Sequence, residues 1–266
     1  MFFLKQWLSF TNKKSRSTEL LRLKLIACKA LFREFSLLAA KSKNFIDVTF
    51  MQQGLHDTPL LLHQALQAEI DKIDSGNDLY SAKRRFEMDF DAIILGYGLC
   101  SNAIIGLVSQ KYKLAVARCD DCIALLLGSY KKYRDYFKKN YGTYWYSSSW
   151  IENAYTPSEV CHKALLKEYT EKYGEDNASY LCEVEYTTKN YNRCAYVQWD
   201  KLQFPEYVEY TQDAAKYFEW DFEKIKGHPK LLMDLVNGNW DKKYFLVVPP
   251  GMKIKPDYSG KLIDIE

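Results

Sequence analysis

Cys28, His56, Cys100 and Cys122 each come just after a short apolar run: RLKLIAC, FIDVTFM with its loop QQGLHDTP, DAIILGYGLC, and KLAVAR with its loop CDDC. Cysteine sulfur and imidazole nitrogen are soft ligands. Three thiolates and one imidazole suit a tetrahedral zinc ion, and with one position left open the same set serves catalysis or another thiophilic metal. Cys100 and Cys122 also stand where helices are expected to begin, and unpaired N–H groups at a helix start favour a thiolate. Packing is the competing role, since a free cysteine behaves as a small hydrophobe and is among the most buried residue types. Asp57, beside His56, is placed to orient the imidazole. With an open position, such a metal activates a thiol or water; Glu34 and Asp121 are then candidate acids or bases, and Arg118 a candidate partner for an anionic substrate.

Two other chemistries compete for the same stretch. Cys119 and Cys122 form a C-D-D-C pair, which offers dithiol exchange, although two central aspartates oppose thiolate formation at both sulfurs. Asp120 or Asp121 can instead cap the following helix. The run GYGLCS follows an expected strand and precedes an expected helix, so Gly96, Gly98 and Ser101 are candidates for holding a nucleotide or other cofactor at backbone amides. That run lacks the third glycine of the dinucleotide fingerprint and follows the third strand rather than the first. Cys161, Cys182 and Cys194 lie in expected helices or a strand further on, where packing is the default reading.

The elements that position these groups follow from periodicity. Residues 22–28, 45–51, 91–99 and 113–118 read as strands; the third is nearly continuous in apolar residues, as befits a strand covered on both faces of a parallel sheet. Helical spacing follows the first strand (Ala30, Leu31, Phe35, Leu38), and Pro59 opens a helix after the second. A short helix is expected in SNAIIGLVSQK, and another begins at Cys122. Four strand-helix repeats predict a doubly wound parallel sheet, whose strand ends all point to one edge, so residues far apart in sequence meet there. Beyond Gly128 an aromatic and basic helix leads into TYWYS, read as a link between lobes. After residue 150 the alternation of helix and strand resumes, ending in the strand KKYFLVV. The expected organisation is an α/β protein of two Rossmann-like lobes: an appended segment over 1–21, a first lobe over 22–150 carrying the site, and a second over 151–266.

Composition sets outer bounds. The chain has 266 residues, nearly half of them apolar, and a formal charge of +3 concentrated near the start, which implies no nucleic-acid partner. No apolar run reaches the roughly 18–20 residues of a membrane helix. Seven cysteines, an odd number spread over strands and helices, do not form a secreted disulfide framework, so reduced thiols in a cytoplasmic protein are expected. The 21 tyrosines and 6 tryptophans suit an aromatic interface between lobes.

With these residues in view, the chain resembles the uncharacterised family known as domain of unknown function 1638. The resemblance rests on IAC at 26–28 with Glu34, QGLHDTP at 53–59, DAIILGYGLC at 91–100, ARCDDCIALLLGS at 117–129, GTYWYSSSWIE at 142–152 and GNWDKKYFLVVPPG at 238–251. Members resemble one another at the positions of Cys28, His56, Cys100 and Cys122. This chain departs from the family pattern at Cys119 and Asp120, where relatives often have a non-cysteine and a histidine. The resemblance implies a context beside corrinoid-dependent methyl-transfer systems, with a small-molecule or corrinoid protein partner.

Overall fold

The computed structural model describes residues 20–77, 89–187 and 191–266. Most of the appended N-terminal segment, at 1–19, and most of the polar stretch before the third strand, at 78–88, lie outside the described residues.

The first sheet contains β1 (Arg22–Cys28), β2 (Phe45–Met51), β3 (Ala92–Gly96), β4 (Leu114–Ala117) and β8 (Phe245–Val248), in the order β2-β1-β3-β4-β8. The first four are parallel, as the strand-helix repeats require, and β8 pairs antiparallel with β4. The order reverses between β1 and β3, which makes their shared carboxyl end the switch point where open α/β sheets bind ligands. β1 lies between β2 and β3, is almost wholly buried, and carries a buried lysine. Lys24 is tolerated there because its ammonium meets Asp47 Oδ1 at 3.0 Å across the β1–β2 register.

Alternation along the strands divides the core into two layers. Leu23, Leu25 and Ala27 face α1 (Phe32–Lys41) and α9 (Lys230–Asn237), whereas Ile26 and Cys28 face α2 (Pro59–Asp74) with its Leu62, Leu66 and Ile70. On β3 the same rule puts Ile93, Leu95 and then Tyr97 on the α2 side. Cys28 and Tyr97 thus share a face.

A second, three-stranded parallel sheet has the order β5-β6-β7, from β5 (Thr143–Tyr146), β6 (Arg193–Gln198) and β7 (Asp221–Lys226). Its Trp145, Ala195, Val197 and Ile225 join the apolar layer built on α1 and α9. Two elements differ from their expected places. The segment TYWY, read as a link, is a paired strand of this sheet, because its aromatic side chains fit a half-buried pleat. FLVV, expected in the second lobe, extends the first sheet, where its continuous apolar run is covered on both faces. Around these sheets lie α3 (Cys122–Leu127), α4 (Tyr130–Phe137), α5 (Ser148–Asn153), α6 (Glu159–Tyr173), α7 (Glu175–Thr187) and α8 (Pro205–Tyr217), with β9 (Ile254–Asp257) and β10 (Leu262–Ile265) forming an antiparallel pair. Among the described residues no helix is long and apolar enough to cross a membrane.

Candidate functional site

A cavity of about 300 Å³ opens at the carboxyl edge of the first sheet, and Cys28, His56, Cys100 and Cys122 all line it. Asp120, Asp121, Ser101, Gln52, Tyr97 and Trp150 share the lining. Each cysteine arrives by a different local route. Cys28 ends β1 in extended conformation, and its sulfur accepts the N–H of Ala30 at 3.4 Å, which starts a tight 3-10 turn. Cys122 is the first residue of α3, whose N-cap is Asp121: Oδ1 takes the N–H groups of Ile123 and Ala124 at 2.9 and 3.2 Å.

Cys100 departs from expectation. The short helix expected in SNAIIGLVSQK does not form; Cys100, Ser101 and Asn102 have φ of 45°, 59° and 67°, three successive left-handed residues without a glycine. Left-handed backbone costs roughly 1–2 kcal/mol per L-residue, so tertiary bonds must hold it. Leu99 N–H donates to Cys119 O at 2.9 Å and Cys100 N–H to Asp120 O at 3.0 Å, stitching the loop after β3 to the loop after β4.

The same stitching bears on the glycines. A β-carbon on Gly96 would stand 2.6 Å from the Ala27 Cβ and 2.5 Å from the Phe35 ring, and one on Gly98 2.7 Å from the Asp121 main chain. Both glycines therefore serve close packing within the protein. With the amides of Leu99 and Cys100 already donating to carbonyls, this loop is built as a packed corner and not as a phosphate cradle. Of the three cofactor candidates, Ser101 reaches the cavity lining and Gly96 and Gly98 do not.

Burial governs the electrostatics. It pushes the Cys100 thiol up to about 12, helped by negative charge on Asp121 and Cys28, while the N–H groups of Gly98 and Cys122 pull the other way. Burial likewise raises Cys28, opposed by the Ala30 N–H, and raises Cys122 well above an ordinary thiol, with Asp121, Cys100 and Cys28 adding to it. The cysteines thus stand close enough to feel one another's charge, and without a cation they are neutral thiols. Asp121 is raised by burial and lowered by Tyr133, by the capping amides and by His56.

His56 sits on a 3-10 turn (Leu55–Asp57) entered through Gly54 at φ 94°, with its ring half exposed and 3.5 Å from Asp57 Oδ1. Its ring centroid is 6.2 Å from that of Trp150, which comes from α5 and had no local sequence signal. α5 is pinned over the site by Arg33, whose Nε reaches both Glu152 oxygens at 2.7 and 2.8 Å, and by Ser149, whose Oγ donates to Glu34 Oε2 at 2.6 Å.

Other candidates have other employment. Glu34 is buried beneath α5 and is absent from the cavity lining. Arg118 turns toward the end of the chain: Nε donates to the carbonyls of Lys242 and Phe245, both at 3.2 Å, and Nη1 to those of Lys261 and Ile263. That guanidinium ties down the C-terminal strands rather than facing a substrate. Cys119 is 1% exposed, donates its S–H to Asp121 O at 3.6 Å and does not line the cavity, so the C-D-D-C pair does not present two thiols to one space. Cys182 and Cys194 are buried, as expected for packing, whereas Cys161 is partly exposed and lines a different cavity.

Among the described residues no three His, Cys, Asp or Glu side chains are drawn together closely enough to hold a metal ion as they stand. Two features of the lining bear on a ligand. Its donors are sulfur and imidazole, and Tyr97 Oη, buried in the lining, has no hydrogen-bond partner.

Fold and cavity together define the class: a doubly wound α/β protein with a thiol-lined cavity at the switch point of its parallel sheet. The chain belongs to the family described as protein of unknown function DUF1638, whose model matches residues 50–236. The matched span includes His56, Cys100 and Cys122, whereas Cys28, Glu34 and the last strands fall outside it. No curated protein and no solved structure matches the chain significantly.

Proposed function

We propose that the cavity binds a thiophilic metal ion, zinc by the character of its donors, through Cys28, His56, Cys100 and Cys122. One observation carries this reading: three cysteines from the ends of three parallel strands, and a histidine from the end of a fourth, line one cavity at the sheet edge where such folds bind ligands. Loading requires the side chains to rotate into a common sphere. Zinc binding to a cysteine-histidine set releases about 10–16 kcal/mol in small peptides, far above the cost of changing a few rotamers. The cavity's volume of about 300 Å³ is many times that of the water-sized space a metal ion needs, so a small ligand fits beside it. The bound ion would supply a Lewis acid and activate a thiol or water. The chain's residues do the rest: Asp121 fixes the start of α3 and hence Cys122, and Trp150, Leu55, Leu62 and Ile123 supply apolar lining to the cavity.

Seven free cysteines suit a reducing, cytoplasmic setting. A place beside corrinoid-dependent methyl transfer is the context that the family resemblance supplies.

Purification under reducing conditions with zinc present tests the reading. About one zinc per chain is expected; Cys100→Ser and Cys122→Ser should each weaken binding by at least about a hundredfold, and Cys119→Ser should leave it unchanged. Parent protein without stoichiometric metal, together with serine variants that behave like it, would overturn the proposal.

A further inference from the structure

Tyr97 is 2% exposed, follows β3 directly and lines the cavity, yet its hydroxyl has no hydrogen-bond partner. Burying a donor without an acceptor costs about 1–3 kcal/mol. Its surroundings explain where an acceptor can arise. Cys28, Cys100 and Cys122, from β1, from the loop after β3 and from α3, line the same cavity as the phenol, and Cys28 shares its face of the sheet. A neutral thiol sulfur is a weak acceptor, so in the metal-free protein the hydroxyl gains little from these neighbours. A cysteine that binds a metal loses its proton to solvent and keeps the electron pair in the metal–sulfur bond, and its remaining lone pairs then accept strongly.

We propose that Tyr97 is a positioning residue of the metal site, whose O–H donates to a metal-bound cysteine sulfur and so becomes satisfied only when the ion is present. This rests on the metal-binding reading above. The hydroxyl is the unspent half of a bond that the loaded site completes, as groups hydrogen-bonded to first ligands commonly do. No sequence motif marks Tyr97; strand alternation alone carries it, with Ile93 and Leu95, to the face that Cys28 occupies.

Tyr97→Phe, which keeps the ring and removes only the hydroxyl, separates this role from a structural one. Metal-free Tyr97→Phe should unfold at the parent's temperature or above it, since no bond is lost. Its affinity for zinc, measured by competition with a chromophoric chelator, should fall about 10–100-fold. In the cobalt(II)-substituted protein the sulfur-to-cobalt charge-transfer band should move to longer wavelength, because an unbonded thiolate gives up its electron more readily. A purely structural tyrosine would instead lower the stability of the metal-free variant and leave the band in place. Equal zinc affinity and an unmoved band in Tyr97→Phe, with the parent binding normally, would overturn this inference alone. A parent that binds neither zinc nor cobalt would overturn it together with the metal-binding reading.

Discussion

Gly98 and Asp121 meet main chain to main chain: a β-carbon on Gly98 would lie 2.7 Å from both the Cα and the N of Asp121. This contact brings the loop after β3 against the loop after β4 and so places Cys100 opposite Cys122. Backbone cannot swing aside as a flexible side chain can. Gly98→Ala should therefore destabilise the protein by about 1–3 kcal/mol and weaken metal binding at the same time. Urea unfolding with an unchanged m-value, alongside zinc competition, measures both; an unperturbed alanine variant would show that the loops can separate without cost.

Asp121 holds the next layer of this arrangement. Its Oδ1 caps α3 and its Oδ2 accepts the Tyr133 hydroxyl at 2.6 Å. Asp121→Ala removes the cap, worth about 0.5–2 kcal/mol, and leaves Tyr133 Oη without its acceptor. Asp121→Asn keeps an oxygen for the cap and should retain most of the stability. Thermal unfolding at pH 7 should rank parent and Asn close together with Ala well below, and an Ala variant level with the parent would contradict the cap.

Arg118 offers a contrast, because its four carbonyl acceptors lie in the C-terminal region and not at the cavity. Arg118→Ala should cost about 1–3 kcal/mol, the usual scale for hydrogen bonds made by a charged donor, and increase proteolysis near β9 and β10. Zinc affinity should stay within a factor of two. A tenfold loss of affinity with intact stability would return Arg118 to the role its charge first suggested.

These residues show where sequence reasoning reaches. β1 and β2 have the bounds expected of them, since a short apolar run needs no knowledge of its partners to be read as a strand. Cys28, His56, Cys100 and Cys122 could be gathered to one cavity because parallel strands end on one edge, a rule independent of sequence separation. The left-handed run at Cys100–Asn102 was not legible: its local pattern is helical, and the bonds that override it come from Cys119 and Asp120. Trp150 was not legible because its helix, α5, follows β5 of the second sheet and lies outside the strand-helix repeats that carry the other lining residues. Tyr97 was legible in principle, as the next alternate residue after Ile93 and Leu95, but an unpaired hydroxyl shows only once its neighbours are in place.

Glu34 gives a pH dependence with a definite sign. It is 3% exposed, and burial outweighs the Ser149 hydrogen bond, so its carboxyl is pushed from 4.5 up to about 7, with Glu152 raising it and Arg33 lowering it. Between those two values the folded protein holds a proton that the unfolded chain has released. Stability from this group is therefore greatest below pH 4.5 and is lost as the pH rises toward 7, by up to about 3 kcal/mol. Burial also raises Asp120 and Asp121, which act in the same direction from a starting value of 3.8, so part of the slope belongs to them. Glu34→Gln keeps an acceptor for Ser149 and removes the titration. Urea unfolding from pH 4 to 8 should find the variant no more stable than the parent at pH 4 and more stable at pH 8, with the two curves diverging between 4.5 and 7. Parallel curves over that range would mean that Glu34 is ionised in the folded protein at the same pH as in the unfolded chain.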